Sequence, residues 1–129
     1  MVKISIIPRI TETDGLGHIS NTTIPIWLEH ARRELFEKFN GDLSFSNFRL
    51  LLVNTNISYR KEIFVDSEVI VESFIKEYGN TSIKFKEIIK QNNKTCVEAE
   101  TVYVNVDAKT HEKKLLTEVD IEILNEFKE

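Results

Sequence analysis

Asp14, Gly15, Gly17, His18 and Asn21 fall within eight residues, directly ahead of an amphipathic run that begins near Ile24. The group brings together a carboxylate, two glycines, an imidazole and an amide. The start of a helix offers unpaired N–H groups and the positive end of the helix dipole, which stabilise a developing oxyanion. A carboxylate beside such a start can attack an electrophilic carbonyl, or deprotonate the water that does. That is half of a hydrolytic mechanism. The plainer alternative makes Asp14 an ordinary turn residue before glycine and Asn21 a helix cap. His18 either orients the carboxylate or carries a proton, or else fixes the loop by a hydrogen bond. Gly15 and Gly17 let the backbone approach a ligand or adopt positive φ. Their spacing is not that of a phosphate-binding fingerprint.

The elements around this loop follow from periodicity. Ile24, Trp27, Leu28, Ala31, Leu35 and either Phe36 or Phe39 recur at three- and four-residue spacing, which predicts one helix of roughly four turns over 23–39. A threonine can cap it, Pro25 suits its first turn, and Asn40-Gly41 can stop it. Residues 2–10 read as a strand whose Pro8 confines that end to an edge or a bulge. Stretches 48–59, 65–78, 81–90 and 95–106 are rich in Val, Ile, Phe, Thr and Tyr and read as further strands. The breaks between them are short, so successive strands are expected to be antiparallel hairpin neighbours. Lys84, Lys86 and Lys90 share one face of the fourth strand, and Ile83, Phe85 and Ile89 share the other. A short helix over 117–127 ends the chain, with Thr117 and Asp120 spaced as a capping box. The sheet needs an apolar cover, and the one long apolar stripe lies on the helix. The expected fold class is therefore α+β, an antiparallel sheet wrapped around one long central helix, with an edge strand left for a second subunit.

Bulk properties narrow the classes of function. The chain has 129 residues, read as a single domain over 1–129, large enough for a core without metal or disulfide staples. Seventeen basic residues against 21 acidic give a net charge of −4, which argues against a nucleic-acid partner. Cys96, the single cysteine, reads as packing in a strand and points to a reducing, cytoplasmic setting. His18, His30 and His111 stand at spacings unsuited to a metal, so no metal is expected. No apolar stretch approaches the ~20 residues of a membrane span, and no export signal opens the chain. The N-x-S/T triplets at Asn21, Asn80 and Asn93 read as coincidental.

The chain resembles the hotdog-fold thioesterases of the 4-hydroxybenzoyl-CoA thioesterase-like family. Their opening motif, approximately D-x-x-G-H-(V/I)-N-N followed by a helix with E-x-A-R, is matched by Asp14, Gly17, His18, Ile19, Ser20 and Asn21, then Glu29, Ala31 and Arg32. Ile57-Ser58-Tyr59, Asp66-Ser67-Glu68-Val69, Gly79-Asn80-Thr81-Ser82 and Val104-Asn105-Val106-Asp107 resemble later family segments in the expected order. Ser20 replaces the first Asn of the pair, Ile24 stands where an aromatic is common, and Val65 precedes Asp66 where Gly is usual.

The resemblance implies a hotdog fold, hydrolysis of an acyl-CoA thioester, no cofactor, and a homodimer or dimer of dimers with active sites at the subunit interface. It implies Asp14 as nucleophile or general base, with Asn21 and the N–H groups of the helix start holding the oxyanion and His18 beside them. Gly17, Thr22, Arg60, Ser82 and Lys84 are the expected substrate contacts. Arg60, Lys61, Lys84, Lys86 and Lys90 are candidates to grip CoA phosphates, against the alternative of a solvated sheet face. Glu29 is a competing carboxylate, or else a salt-bridge partner of Arg32 and Arg33. The alternative functions are an acyl-carrier-protein thioesterase and a non-catalytic acyl-CoA binder.

Overall fold

The structure, a computed structural model, describes residues 1–129 apart from the side chain of Phe45. Its strands are β1 (Val2–Ile6), β2 (Leu50–Tyr59), β3 (Val69–Tyr78), β4 (Ser82–Gln91) and β5 (Lys94–Asn105). They form one antiparallel sheet in the order β1-β3-β4-β5-β2. Helices α1 (Ile24–Ala31) and α2 (Arg33–Asn40) lie against one face, and α3 (Glu118–Glu126) closes one end. This is the wrapped α+β arrangement expected of the hotdog resemblance.

Alternation in β4 is as the sequence implies: Ile83, Phe85 and Ile89 are buried, while Lys84, Lys86 and Lys90 lie on the outer face. The β4–β5 hairpin turns through Asn92 and Asn93 at φ of 52° and 63°, the pair of positive values that a type I′ turn requires. The capping box at the last helix also forms. Thr117 Oγ1 accepts the Asp120 N–H at 3.1 Å, and the Asp120 carboxylate accepts the Thr117 N–H at 2.9 Å.

Two expectations need correction. Hairpin pairing of successive strands holds for β3, β4 and β5 but not for β2 and β3. Strand β2 pairs with β5 at one edge of the sheet, while β3 lies between β1 and β4. The connection 60–68 is long enough to cross, and it has an apolar anchor to cross upon. Ile63 is buried in the core cluster of Ile19, Ile24 and Leu28, and its carbonyl accepts the Ile19 N–H at 2.7 Å.

The central helix is also not continuous. It breaks at Arg32, where φ is −87° and ψ is −9° and the N–H bonds back to Glu29 O at 3.0 Å, an i−3 bond of 3₁₀ type. The tightening accompanies an inward-turned arginine. Arg32 falls on the apolar stripe between Leu28 and Leu35 and is 4% exposed. It meets Glu87, fully buried in β4, through Nε–Oε2 at 2.7 Å and Nη2–Oε1 at 2.8 Å. Thr101 and Tyr103 complete the shell at 3.0 and 2.9 Å from the guanidinium. This polar layer separates two apolar clusters, one around Trp27 and Leu28, the other around Leu35, Phe36, Phe85 and Tyr103.

Candidate active site

The loop after β1 folds back on itself before it enters the helix. Thr13 and Ile19 form an isolated antiparallel bridge, Asp14 N donates to His18 O at 2.9 Å, and Ser20 N donates to Glu12 O at 2.8 Å. Segments 12–14 and 18–20 thus run side by side, which seats Asp14 across from His18 and a short step from the helix entrance. Gly15 and Gly17 make the reversal at φ of 91° and 83°. A Cβ at either would meet open space, so glycine is needed for its dihedral angle, not for close approach.

Asp14 is exposed, and its Oδ1 accepts the Leu16 N–H at 2.9 Å. One carboxylate oxygen therefore serves the turn. His18 is half-buried; its Nδ1 lies 3.4 Å from Glu62 Oε2 and its ring meets Phe64 edge-on at 4.9 Å. The same strip is tied from the other side, since Val65 N donates to Gly17 O at 3.0 Å. The imidazole thus has its polar contact with Glu62.

The helix entrance is a 3₁₀ turn, Asn21–Thr23, running straight into α1. Thr23 holds the N-cap position of α1 but makes no side-chain cap bond there; the capping side chain is that of Ser20, ahead of the 3₁₀ turn, whose Oγ accepts the Thr22 N–H at 3.4 Å. Serine caps as well as asparagine does, so the departure from the family's paired asparagines preserves that role. Thr22 is exposed, with its hydroxyl 2.9 Å from Ser20 Oγ. Asn21 is exposed, and its carbonyl accepts the Tyr59 hydroxyl at 3.2 Å, tying the end of β2 to the entrance. Ile24, standing where the family commonly has an aromatic, is 2% exposed within the core.

The remaining expected contacts are dispersed within one protomer. Arg60, near the loop's end of the sheet, binds Glu98 Oε2 at 3.2 Å. Ser82 lies at the start of β4, where Gly79 N donates to its carbonyl at 2.8 Å. Strand β4 runs its ten residues from Ser82 to Gln91 near the loop, a span of roughly 30 Å. Lys84 pairs with Glu77 at 3.1 Å and Lys90 with Glu72 at 2.7 Å, both on the outer sheet face. Burial opposes the Glu72 charge less than the Lys90 hydrogen bond favours it, so its carboxyl sits below the usual range. Glu29, with His30, Arg33 and Phe36, lines a groove of about 800 Å³ between the helices and the start of β2, floored by Leu52 and Tyr103. Burial raises the Tyr103 phenol above its ordinary value, against the opposing pull of Arg32.

Glu12 escaped the sequence reading. Its carboxylate accepts from Trp27 Nε1 at 2.8 Å and from Arg9 N at 2.7 Å. No periodic pattern links positions 12 and 27, so nothing local signals the bond. The Arg32–Glu87 pair did leave a signal, because each charge sits in phase with an apolar face. Among the described residues, no group of three or more His, Cys, Asp or Glu side chains is placed to hold a metal ion. Cys96 is buried and free.

A family model described as the thioesterase-like superfamily matches residues 8–126. The chain belongs to the thioesterase-like superfamily. A thioester hydrolase is thus the enzyme class of this molecule. A predicted thioesterase from Bacillus stearothermophilus shares 35% identity and a TM-score of 0.95, over 99% of this chain and 96% of that one. A thioesterase from Thermus thermophilus, solved with coenzyme A and zinc, shares the fold at 20% identity and a TM-score of 0.86, covering 95% and 96% of the two chains. A 1,4-dihydroxy-2-naphthoyl-CoA thioesterase from Synechocystis does so at 16% identity and 0.81, covering 96% and 95%. No curated protein matches the sequence. In this thioesterase, no helix among the described residues is long and apolar enough to cross a membrane.

Proposed function

We propose that this thioesterase hydrolyses an acyl-CoA thioester to the free acid and CoA, with Asp14 as its chemical residue. The observation that carries the reading is the pairing of segments 12–14 and 18–20, which holds an exposed carboxylate beside the start of a helix. As general base, Asp14 takes a proton from water as the oxygen attacks the thioester carbon. The Asn21 N–H at the helix entrance receives the negative charge that develops on the carbonyl oxygen. Collapse of the tetrahedral intermediate breaks the C–S bond, and the thiolate takes the proton back. As nucleophile, Asp14 attacks the thioester carbon, the C–S bond breaks to release the CoA thiolate, and water then cleaves the resulting acyl anhydride, giving the free acid and restoring the carboxylate. His18, held at Glu62, supports the loop that presents Asp14, and Gly17 and Thr22 line the approach to the helix start.

The complete site takes two chains. Strand β2 leaves one edge unpaired, and Leu51, Leu52 and Val53 on it are 40%, 54% and 57% exposed. Pairing β2 with its copy about a two-fold axis runs the strands antiparallel. The Tyr59 end of one protomer, with Asn21, then meets the Leu50 end of the other, with its apolar groove. Such an edge is an aggregation hazard unless paired, which supports a homodimer. Arg60, Ser82 and Lys84, dispersed in one chain, are then the contacts expected across an assembly, including a dimer of dimers. A thiol-detecting assay over a panel of acyl-CoA esters, with matched carrier-protein esters, tests the reading. Release of thiol from CoA esters supports it; release from carrier-protein esters alone assigns the other carrier. Tight binding without release makes the protein an acyl-CoA binder.

A further inference from the structure

Five hydrogen bonds meet at Glu12. Its carboxylate accepts from Arg9 N at 2.7 Å and from Trp27 Nε1 at 2.8 Å, and its own N–H donates to Arg9 O at 2.9 Å. Its carbonyl accepts from Ser20 N at 2.8 Å and Thr23 Oγ1 at 3.2 Å. These partners come from the approach to the loop, the return of the loop, the helix entrance and the first turn of α1. Trp27 is itself 3% exposed in the core, so one end of the arrangement is immovable. The Glu12 side chain is 10% exposed. Burial disfavours its charge, but the Arg9 N–H, the Trp27 indole and the Arg9 guanidinium outweigh that and hold it below the usual carboxylate range. An ionised acceptor makes the stronger hydrogen bonds.

We propose that Glu12 is the positioning residue of the active site, clamping the 13–20 loop to Trp27 of α1 so that Asp14 keeps its register with the helix start. Asp14 lies two residues beyond the clamp, and its own backbone tie, to His18 O, depends on the pairing that Glu12 O anchors through Ser20. Losing the carboxylate frees the loop to shift relative to the oxyanion donors, while substrate contacts elsewhere stay in place. A misplacement of about 1 Å costs on the order of a hundredfold in rate. The kinetic part rests on the thioesterase mechanism proposed above; the clamp itself does not.

Trp27 is the single tryptophan of the chain, so one indole N–H resonance reports the bond directly. The experiment compares wild type, Glu12→Gln and Glu12→Ala in the intact protein, by NMR with amide exchange and by thiol release. Gln retains one acceptor of similar reach; Ala retains none. The indole resonance is expected to move upfield in the order wild type, Gln, Ala. Exchange at Asp14, Ile19 and Ser20 is expected to accelerate in the same order, with the sheet amides unchanged. In thiol release, kcat falls about tenfold for Gln and about a hundredfold for Ala, with KM within about twofold. Unchanged loop exchange in Glu12→Ala overturns the clamp, whatever the activity. Wild-type kcat with a displaced indole resonance overturns its catalytic consequence. A wild type that releases no thiol, with loop exchange still graded across the series, defeats the proposed reaction and leaves the clamp standing.

Discussion

The role proposed for Asp14 gives it two purposes at once, because one oxygen closes the turn to Leu16 while the side chain remains exposed. Asp14→Asn keeps a carbonyl acceptor for Leu16 N–H, so the turn persists while the proposed base or nucleophile is lost. The expected outcome is a fall in kcat of about a hundred- to ten-thousand-fold with unchanged circular dichroism, read by thiol release. Arg32 and Glu87 pose the opposite problem, a matter of stability. Their bidentate contact is buried, and burial alone would weaken the Arg32 charge, yet Glu87 keeps it above its ordinary value. Arg32→Met leaves Glu87 without its partner and is expected to cost about 3–5 kcal/mol in urea denaturation. Arg32→Met combined with Glu87→Met is expected to cost much less than the two single changes summed, because neither charge is then stranded. Equality of the double variant with the sum would show that the two residues act independently.

At the scale of elements, the break between α1 and α2 and the crossing of 60–68 share a cause: an internal contact overrides local preference. The continuous stripe favours one helix, but the i−3 bond at Arg32 tightens the turn where the guanidinium enters the core. Helix α3 follows its local code more closely. Asp120 closes its capping box and also receives Arg49, which reaches the Phe39 carbonyl at 3.0 Å, so one carboxylate joins the end of α2, the approach to β2 and α3. Burial opposes ionisation of Asp120, but Arg49 and the Thr117 N–H prevail and its pKa is lowered. The unfolded chain then binds that proton more tightly than the folded one. The contribution is complete above the unfolded value of about 3.9 and is lost as pH falls through the folded value. Glu12 and Glu72 act with the same sign. Asp120→Asn is therefore expected to lose stability at neutral pH and to show a flatter decline in acid, measured by denaturant midpoints between pH 7 and pH 3. Thr117→Ala is expected to cost about 1 kcal/mol without altering activity.

For the whole molecule, the exposed β2 edge and the groove beside it lie on one side of the protomer. Strand β1, at the other edge, has five residues and ends before Pro8, which leaves little to pair with. A lysine on the exposed apolar part of the open β2 edge places like charges near one another across the proposed two-fold interface. Val53→Lys is expected to shift sedimentation toward the monomer and to abolish thiol release while the protomer stays folded. A monomeric, folded and fully active Val53→Lys protein would exclude a site shared between chains.

Much of this was legible locally. The Asp14 loop, the positive-φ glycines, the strands and the Thr117–Asp120 box are governed by dihedral preference, hydrophobic period and capping, all of which act within a few residues. Which side chain caps is not legible locally, because Ser20 and the adjacent threonines can all accept an N–H, and only the path of the chain through the 3₁₀ turn gives Ser20 the bond while Thr23 holds the α1 cap position. Pairing of β2 with β5, the buried Arg32–Glu87 contact and the bond from Glu12 to Trp27 join positions far apart in sequence. The sequence by itself determined the fold class and the loop that carries the carboxylate. The tertiary structure alone decided which strands meet and which buried charges face each other. Those outcomes depend on desolvation and hydrogen-bond geometry, which exist only once distant segments have packed.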